Sequence, residues 1–175
     1  MQINNIRDIG TPVNVKLLKI YDDVRIPEYK TSGSSGMDVR AYFTEDFIKD
    51  FKRFNGNNNG MDDGVIAIPP HKTIAIPTGL KVKIPENYEM QVRSRSGLSL
   101  DSLIVANQPG TVDCDFVGEI KIIILNTSDM YKYIKNGDRI AQLILSKVEK
   151  ASFCIVNELT ETNRGEGCLG STGIN

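Results

Sequence analysis

The last stretch of the chain combines residue types that bind phosphate. The segment 164–173, RGEGCLGSTG, holds one arginine, four glycines and two hydroxyls, all of which suit phosphate oxygens. Its spacing nearly fits a Walker nucleotide loop, but Ser171 replaces the lysine and only three residues follow the loop at Thr172. The helix that completes such a loop has no room. The segment therefore needs a scaffold elsewhere, such as the surface of another chain; the alternative is a polar terminus that binds nothing.

Four further stretches are polar and rich in glycine, and each lies between apolar runs. They are 35–41 (SGMDVRA), 93–98 (RSRSGL), 107–119 (NQPGTVDCDFVGE) and 136–142 (NGDRIAQ). Taken singly, each is typical of a turn: Asp38 as a turn residue, 95–97 as a solvated bend, and 137–138 as a hairpin turn. Their function depends on whether the fold brings them together.

The elements that must position these stretches are predicted to be β-strands. Apolar and polar residues alternate with period two, which is typical of half-buried strands. The clearest runs are 13–17 (VNVKL), 80–84 (LKVKI), 119–122 (EIKI) and 139–144 (RIAQLI). Proline, glycine and asparagine separate the runs at intervals that suit short antiparallel strands. We expect an all-β sandwich or barrel.

One segment, 44–64, interrupts this pattern and is interpreted as an insertion. Thr44 can cap a short helix whose Phe47, Ile48, Phe51 and Phe54 fall on one face, and the low-complexity stretch 55–60 follows it. Long loops cost little in closure entropy, so the favoured interpretation is a surface excursion without a function.

Composition narrows the class of protein. The 175 residues have the size of one domain, 1–175. The net charge of −1 excludes the electrostatic footprint of a protein that binds polymeric nucleic acid. Three cysteines without metal or disulfide spacing, no signal-peptide pattern and no apolar stretch near ~20 residues predict an intracellular, soluble protein without a membrane partner. Nucleus, cytoplasm and organelle all stay open as compartments.

The four stretches and the tail, taken in order, resemble the five motifs of the trimeric dUTP nucleotidohydrolases. The resemblance runs from about residue 13 to the tail and is interrupted by the insertion. It implies a jelly-roll-like distorted β-barrel and a homotrimer that exchanges a C-terminal arm of about residues 160–175. It also implies interface active sites, each drawing on all three chains. The implied reaction is hydrolysis of dUTP to dUMP and pyrophosphate, which limits uracil incorporation into DNA and supplies dUMP for thymidylate synthesis.

The resemblance also implies roles for individual residues. Asp113 activates the water that attacks the α-phosphate, an in-line displacement that depends on positioning and charge neutralisation. Gln142 contacts the α-phosphate or the water, Arg95 contacts phosphate oxygens, and Asp38 supports the metal–phosphate end of the site. The residues implied to bind substrate are Ser96, Gly97, Asn107, Gly110, Thr111, Val112, Phe116, Ile120, Arg164, Leu169, Gly170, Ser171 and Thr172.

Within that set, base and sugar selection fall to the third stretch. A hairpin over 107–113 can present backbone groups and the Asn107 amide to the uracil edge, and a tight turn there excludes the methyl group of thymine. Phe116 stands where the family usually has a tyrosine, and its ring can still pack under deoxyribose and crowd out a 2′-hydroxyl. Mg²⁺ is the implied cofactor. It is held by substrate phosphates and waters, without a direct protein ligand and with indirect support from Asp38.

The sequence departs from the family in the arm, where Cys168 replaces a glycine and Leu169 replaces the usual phenylalanine. These changes predict looser closure of the arm over uracil. Two other functions stay open: a dCTP deaminase, which shares the fold but attacks the base, and a nucleotide sensor without catalysis. Retention of Asp113, Gln142 and Arg95 favours the hydrolase.

Overall fold

The protein is described by a computed structural model that covers residues 12–55, 64–162 and 165. These parts of the chain form eleven strands and two helices. The strands are β1 (Lys16–Lys19), β2 (Glu28–Tyr29), β3 (Met37–Arg40), β4 (Val65–Ile68), β5 (Thr73–Lys83), β6 (Tyr88–Arg93), β7 (Leu103–Val105), β8 (Gly110–Val112), β9 (Glu119–Asn126), β10 (Lys132–Lys135) and β11 (Arg139–Lys147), and the helices are α1 (Glu45–Asn55) and α2 (Ser96–Leu100).

The strands form two main antiparallel sheets, which confirms the predicted jelly-roll-like β-fold. One sheet has the order β1-β5-β9-β7, the other β2-β3-β11-β6-β8, and β10 pairs with β4 in a small third sheet. Antiparallel strands can be joined by short connections, without the long crossovers that parallel strands need. No helix in the described parts of the chain is long and apolar enough to cross a membrane.

The core fills the space between the sheets, and the period-two pattern decides which side chains enter it. Along β9 the side chains of Ile120, Ile122 and Ile124 are 2%, 0% and 0% exposed, whereas Lys121 between them is exposed. Alternate residues of a strand point to opposite faces, so one face of β9 enters the core and the other carries polar groups.

The first strand begins later than the sequence pattern predicts. The alternation starts at residue 13, but β1 starts at Lys16, which pairs with Lys83 at the end of β5. Pro85 follows two residues later, and a proline cannot donate to a ladder. Residues 13–15 therefore have no opposing strand in β5.

The insertion forms the predicted helix, but the interpretation as a surface excursion is wrong for its apolar face. Thr44 Oγ1 accepts a hydrogen bond from the Phe47 N–H at 3.1 Å, which is the expected N-cap. Phe47 stacks on Phe43 with ring centroids 5.2 Å apart, and Phe51 is 9% exposed within the core cluster. The helix thus extends the core. The side chain of Phe54 and residues 56–63 lie outside the described parts.

Candidate active site

Three polar side chains from the predicted stretches, two of them predicted site residues, lie side by side on one sheet. Gln142 of β11 is paired with Asp38 of β3 on one side and with Arg93 of β6 on the other. Paired residues of neighbouring strands project from the same face. Three separate stretches of sequence therefore place a carboxylate, an amide and a guanidinium in one row.

Asp38 holds two arginines. Its Oδ1 accepts a hydrogen bond from Arg95 Nε at 3.0 Å, and its Oδ2 accepts one from Arg139 Nη1 at 2.8 Å. The Asp38 side chain is 9% exposed, against 23% for Arg95 and 39% for Arg139. Burial alone would raise the pKa of Asp38, but the hydrogen bonds and charges of Arg139 and Arg95 outweigh it, so this pKa lies below its ordinary value of 3.8.

Arg139 is a site residue that the sequence interpretation missed. It lies in the stretch from which only Gln142 was selected, three residues earlier at the start of β11. Its carbonyl accepts a second hydrogen bond from Arg95, with Nη1 at 3.0 Å. An arginine directly after the turn at 137–138 was the available signal. The structure joins it to Asp38 across 101 positions of sequence.

The side chains of Arg95 and Arg139 line a basic cavity of about 560 Å³. Lys30 and Arg40 also line it, and Asp138 is the one carboxylate among its lining residues. Ser96 and Gly97 begin α2 directly after Arg95 and are exposed. Four cations around one cavity create a positive field that favours an anionic ligand.

The stretch that precedes β8 is tied to the segment that carries Arg95. The side-chain oxygen of Gln108 accepts the Ser94 N–H at 3.0 Å, and Ser94 Oγ accepts the Val105 N–H at 2.8 Å. The Gln108–Pro109 peptide bond is cis. Asn107 is exposed and folds over Gly110, where an added methyl carbon would lie 3.0 Å from Asn107 Nδ2. The Asn107 amide thus occupies space that a side chain at residue 110 would take.

Gln142 packs against a glycine in the same way. A methyl carbon added to Gly36 would lie 3.3 Å from both Cβ and Oε1 of Gln142. That distance is tighter than ordinary van der Waals contact. The first polar stretch therefore contributes Asp38 and also a backbone against which Gln142 rests.

Asp113 and Phe116 follow the C-terminal end of β8, whereas Asn107 precedes its N-terminal end. Both are exposed, and the Asp113 carbonyl accepts the Phe116 N–H at 3.2 Å. Lys83 Nζ donates to the Cys114 carbonyl at 2.9 Å, which fixes the backbone beside Asp113. The carboxylate is therefore accessible to water.

Within one chain, Asp113 lies far from the row that contains Asp38 and Gln142. Val112 pairs with Met90, whereas Gln142 pairs with Arg93, so Asp113 lies four residues further along β6 and two strands across. With about 3.3 Å per residue and 4.8 Å per strand, the Cα atoms of Asp113 and Gln142 are roughly 16 Å apart. One chain thus carries two separate groups of predicted site residues.

The remaining predicted residues are either buried, exposed or outside the described parts of the chain. The side chains of Val112 and Ile120 are 8% and 2% exposed and belong to the core, and the Ile120 carbonyl accepts Thr78 Oγ1 at 2.7 Å. Thr111, next to Val112 on β8, is exposed. The arm residues lie outside the described parts of the chain: Arg164, Leu169, Gly170, Ser171 and Thr172.

The fold and these two groups of side chains define a jelly-roll protein equipped for a phosphorylated ligand. Comparison with known proteins gives the family. The dUTPase family model matches residues 64–173. The deoxyuridine 5′-triphosphate nucleotidohydrolase of Fusobacterium nucleatum is 41% identical over 162 residues, covering 92% of this chain and 97% of the relative. The chain belongs to the dUTPase family.

Solved structures support the fold. A Staphylococcus bacteriophage 80alpha dUTPase with dUPNHPP has a TM-score of 0.73 at 22% identity, covering 92% of this chain and 99% of the other. A mutant dUTPase from phage phi11 of S. aureus, described with a structural Mg(II) ion, has a TM-score of 0.64 at 20% identity, covering 85% and 99%. None of these bacterial and phage proteins supports the nuclear alternative.

Proposed function

We propose that this chain hydrolyses dUTP to dUMP and pyrophosphate through a water molecule activated by Asp113. The exposed Asp113 carboxylate at the end of β8, in a chain of the dUTPase family, carries the proposal. The carboxylate takes a proton from water while the water oxygen bonds to the α-phosphorus. The bond from that phosphorus to the bridging oxygen breaks, and pyrophosphate leaves with the electron pair. The reaction removes dUTP from the precursors of DNA and supplies dUMP for thymidylate synthesis.

The triphosphate binds at the basic cavity. Arg95 and Arg139 are held in place by Asp38 and retain further N–H donors for phosphate oxygens. The Ser96 hydroxyl and the Gly97 backbone lie beside Arg95, and Gln142 supplies a neutral amide in the same row. Because Asp38 fixes the two arginines before substrate arrives, their guanidinium groups need little reorganisation as charge shifts to the leaving group.

Uracil binds against β8 and the Asn107 amide. β8 is the last strand of its sheet, so one edge of its backbone from Gly110 to Val112 has no ladder partner among the described residues. Such an edge offers alternating N–H and C=O groups to a base. Cytosine presents a donor where uracil presents an acceptor, a mismatch that costs roughly 1–3 kcal/mol when buried. Phe116 packs beneath deoxyribose.

Mg²⁺ fits the donor groups of this site as an ion bound chiefly by substrate. Among the described residues no three histidine, cysteine or acidic side chains cluster as metal ligands, and both oxygens of Asp38 already accept arginine hydrogen bonds. Mg²⁺ keeps several waters and accepts phosphate oxygens readily. It neutralises triphosphate charge when bound, and Asp38 supports it indirectly by orienting Arg95 and Arg139.

The active site is completed by other copies of the chain in a homotrimer. The roughly 16 Å between Asp113 and the Asp38–Gln142 row supports this arrangement, because one triphosphate must be reached by both groups. Phe153, Ile155 and Leu159 are 93%, 96% and 86% exposed in the segment that leads to the arm. Several exposed apolar side chains in one segment favour a contact with another subunit. The arm then reaches a neighbouring site with Arg164, Leu169, Gly170, Ser171 and Thr172.

Mixing two inactive variants tests the shared site. One variant carries Asp113→Asn, and the other ends before Arg164. If Asp113 and the arm of one site come from different chains, random trimers from an equal mixture should regain about a quarter of wild-type activity. If hybrid trimers form by native mass spectrometry and activity does not exceed that of the parents, the shared-site arrangement is wrong.

A product assay separates the three candidate functions. Incubation of the purified chain with dUTP and Mg²⁺ should release equal amounts of dUMP and pyrophosphate. Ammonia from dCTP would indicate a deaminase, and saturable binding of dUTP without turnover would indicate a sensor. Either of these two results contradicts the proposed reaction.

A further inference from the structure

The ring of Phe116 lies directly over Gly118. A methyl carbon added to Gly118 would lie 2.6 Å from Cζ, 2.9 Å from Cε2 and 3.4 Å from Cε1 of that ring. Carbon atoms attract at about 3.5–4.0 Å and repel steeply below this distance. Any residue larger than glycine at position 118 must therefore displace the ring.

The glycine is not required by its own backbone conformation. Among the described glycines with positive φ are Gly64, Gly79, Gly137 and Gly165, and Gly118 is not one of them. An alanine could adopt its backbone angles without strain. The occupied space above Gly118 is thus the reason that a side chain does not fit.

Hydrogen bonds hold residues on both sides of Gly118, so an added methyl group would displace the ring of Phe116 more easily than the chain. Lys83 Nζ donates to the Cys114 carbonyl at 2.9 Å. The Gly79 N–H donates to Glu119 Oε1 at 2.8 Å, and Thr78 Oγ1 donates to the Ile120 carbonyl at 2.7 Å. Phe116 itself is 44% exposed, so the solvent on its open side leaves room for the ring to move.

We infer that Gly118 is a positioning residue that sets the Phe116 ring, and through this ring the choice between deoxyribose and ribose. The inference rests on the proposed function, in which Phe116 packs beneath the sugar. A methyl group at position 118 moves the ring by about 1 Å or more to restore normal contact. Misplacement of a substrate-positioning group by that distance can cost up to about 10²-fold in rate.

The experiment compares Gly118→Ala, Phe116→Ala and the double variant with the wild-type chain. The ratio of kcat/KM for dUTP to kcat/KM for UTP should fall about tenfold in Gly118→Ala, a size typical of discrimination at one small group. The same ratio should fall in Phe116→Ala, and the double variant should be no worse than Phe116→Ala, since the glycine acts through the ring. Gly33→Ala is the matched control, because an added methyl carbon there has no atom within 4 Å.

Two results distinguish the inference from the function on which it rests. If the wild-type chain hydrolyses no dUTP, the proposed function fails, and the inference fails with it. If the wild-type chain hydrolyses dUTP and Gly118→Ala leaves the ratio unchanged, the inference alone is overturned. An effect of Gly118→Ala that persists in full beside Phe116→Ala also overturns it, because the glycine would then act on the backbone. A crystal structure of Gly118→Ala should show the ring displaced.

Discussion

Asp113→Asn should lower kcat for dUTP by about 10²–10⁴-fold, the usual contribution of a general base. Asparagine preserves the shape of the side chain but cannot accept the proton of the attacking water. Binding of a non-hydrolysable dUTP analogue should change little. Asp113 is exposed at the end of β8, so the free energy of unfolding should stay within about 0.5 kcal/mol of wild type.

Steady-state kinetics and calorimetric titration measure these two quantities. Asp115→Asn is the matched control, since Asp115 is an exposed aspartate two residues away on the same loop. It should retain kcat near wild type. A near wild-type kcat in Asp113→Asn would remove this carboxylate from the mechanism, and an equal loss in both variants would point to charge on the loop instead.

Asp38→Asn should reduce both activity and stability. One carboxylate oxygen becomes an NH₂ group that faces a guanidinium, so two donors meet where an ion pair stood. Hydrogen bonds to charged groups contribute about 1.5–3 kcal/mol, and the 39% exposure of Arg139 allows solvent to screen part of its share. We expect a loss of about 2 kcal/mol in the free energy of unfolding. Because Arg95 and Arg139 lose their fixed places, kcat/KM should fall about ten- to a hundredfold.

The stability loss should depend on pH with a defined sign. The pKa of Asp38 is lowered in the folded chain, so its charged form stabilises the fold above the ordinary, unfolded pKa of 3.8. That contribution is lost as pH falls through the lower, folded pKa. The difference in unfolding free energy between wild type and Asp38→Asn should therefore be constant from about pH 7 to 5 and shrink below about pH 4.

Urea unfolding at a series of pH values checks this result. Asp101→Asn is a suitable control, because Asp101 forms an ion pair with Lys132 but is 61% exposed, and exposed pairs contribute only about 0–1 kcal/mol. A difference for Asp38→Asn that does not shrink in acid would show that its charge is not what stabilises the fold.

The sequence alone predicted features that depend on neighbouring residues. Period-two alternation predicted β9 and β11, because strand geometry sends alternate side chains to opposite faces whatever lies beyond them. The Thr44 cap and helix α1 were equally local. The order of the polar stretches led to the family, and with it to Asp38, Arg95, Asp113 and Gln142 as predicted site residues.

Only the tertiary structure decided features that join distant segments. It placed Arg139 against Asp38 across 101 positions, packed Phe51 of the insertion into the core, and seated the Phe116 ring on Gly118. It also separated Asp113 from the Asp38–Gln142 row. These relations follow from strand order and register, which are set by the packing of whole sheets. No pattern within a single stretch records which strand becomes its neighbour, so the local sequence could supply the groups but not their distances.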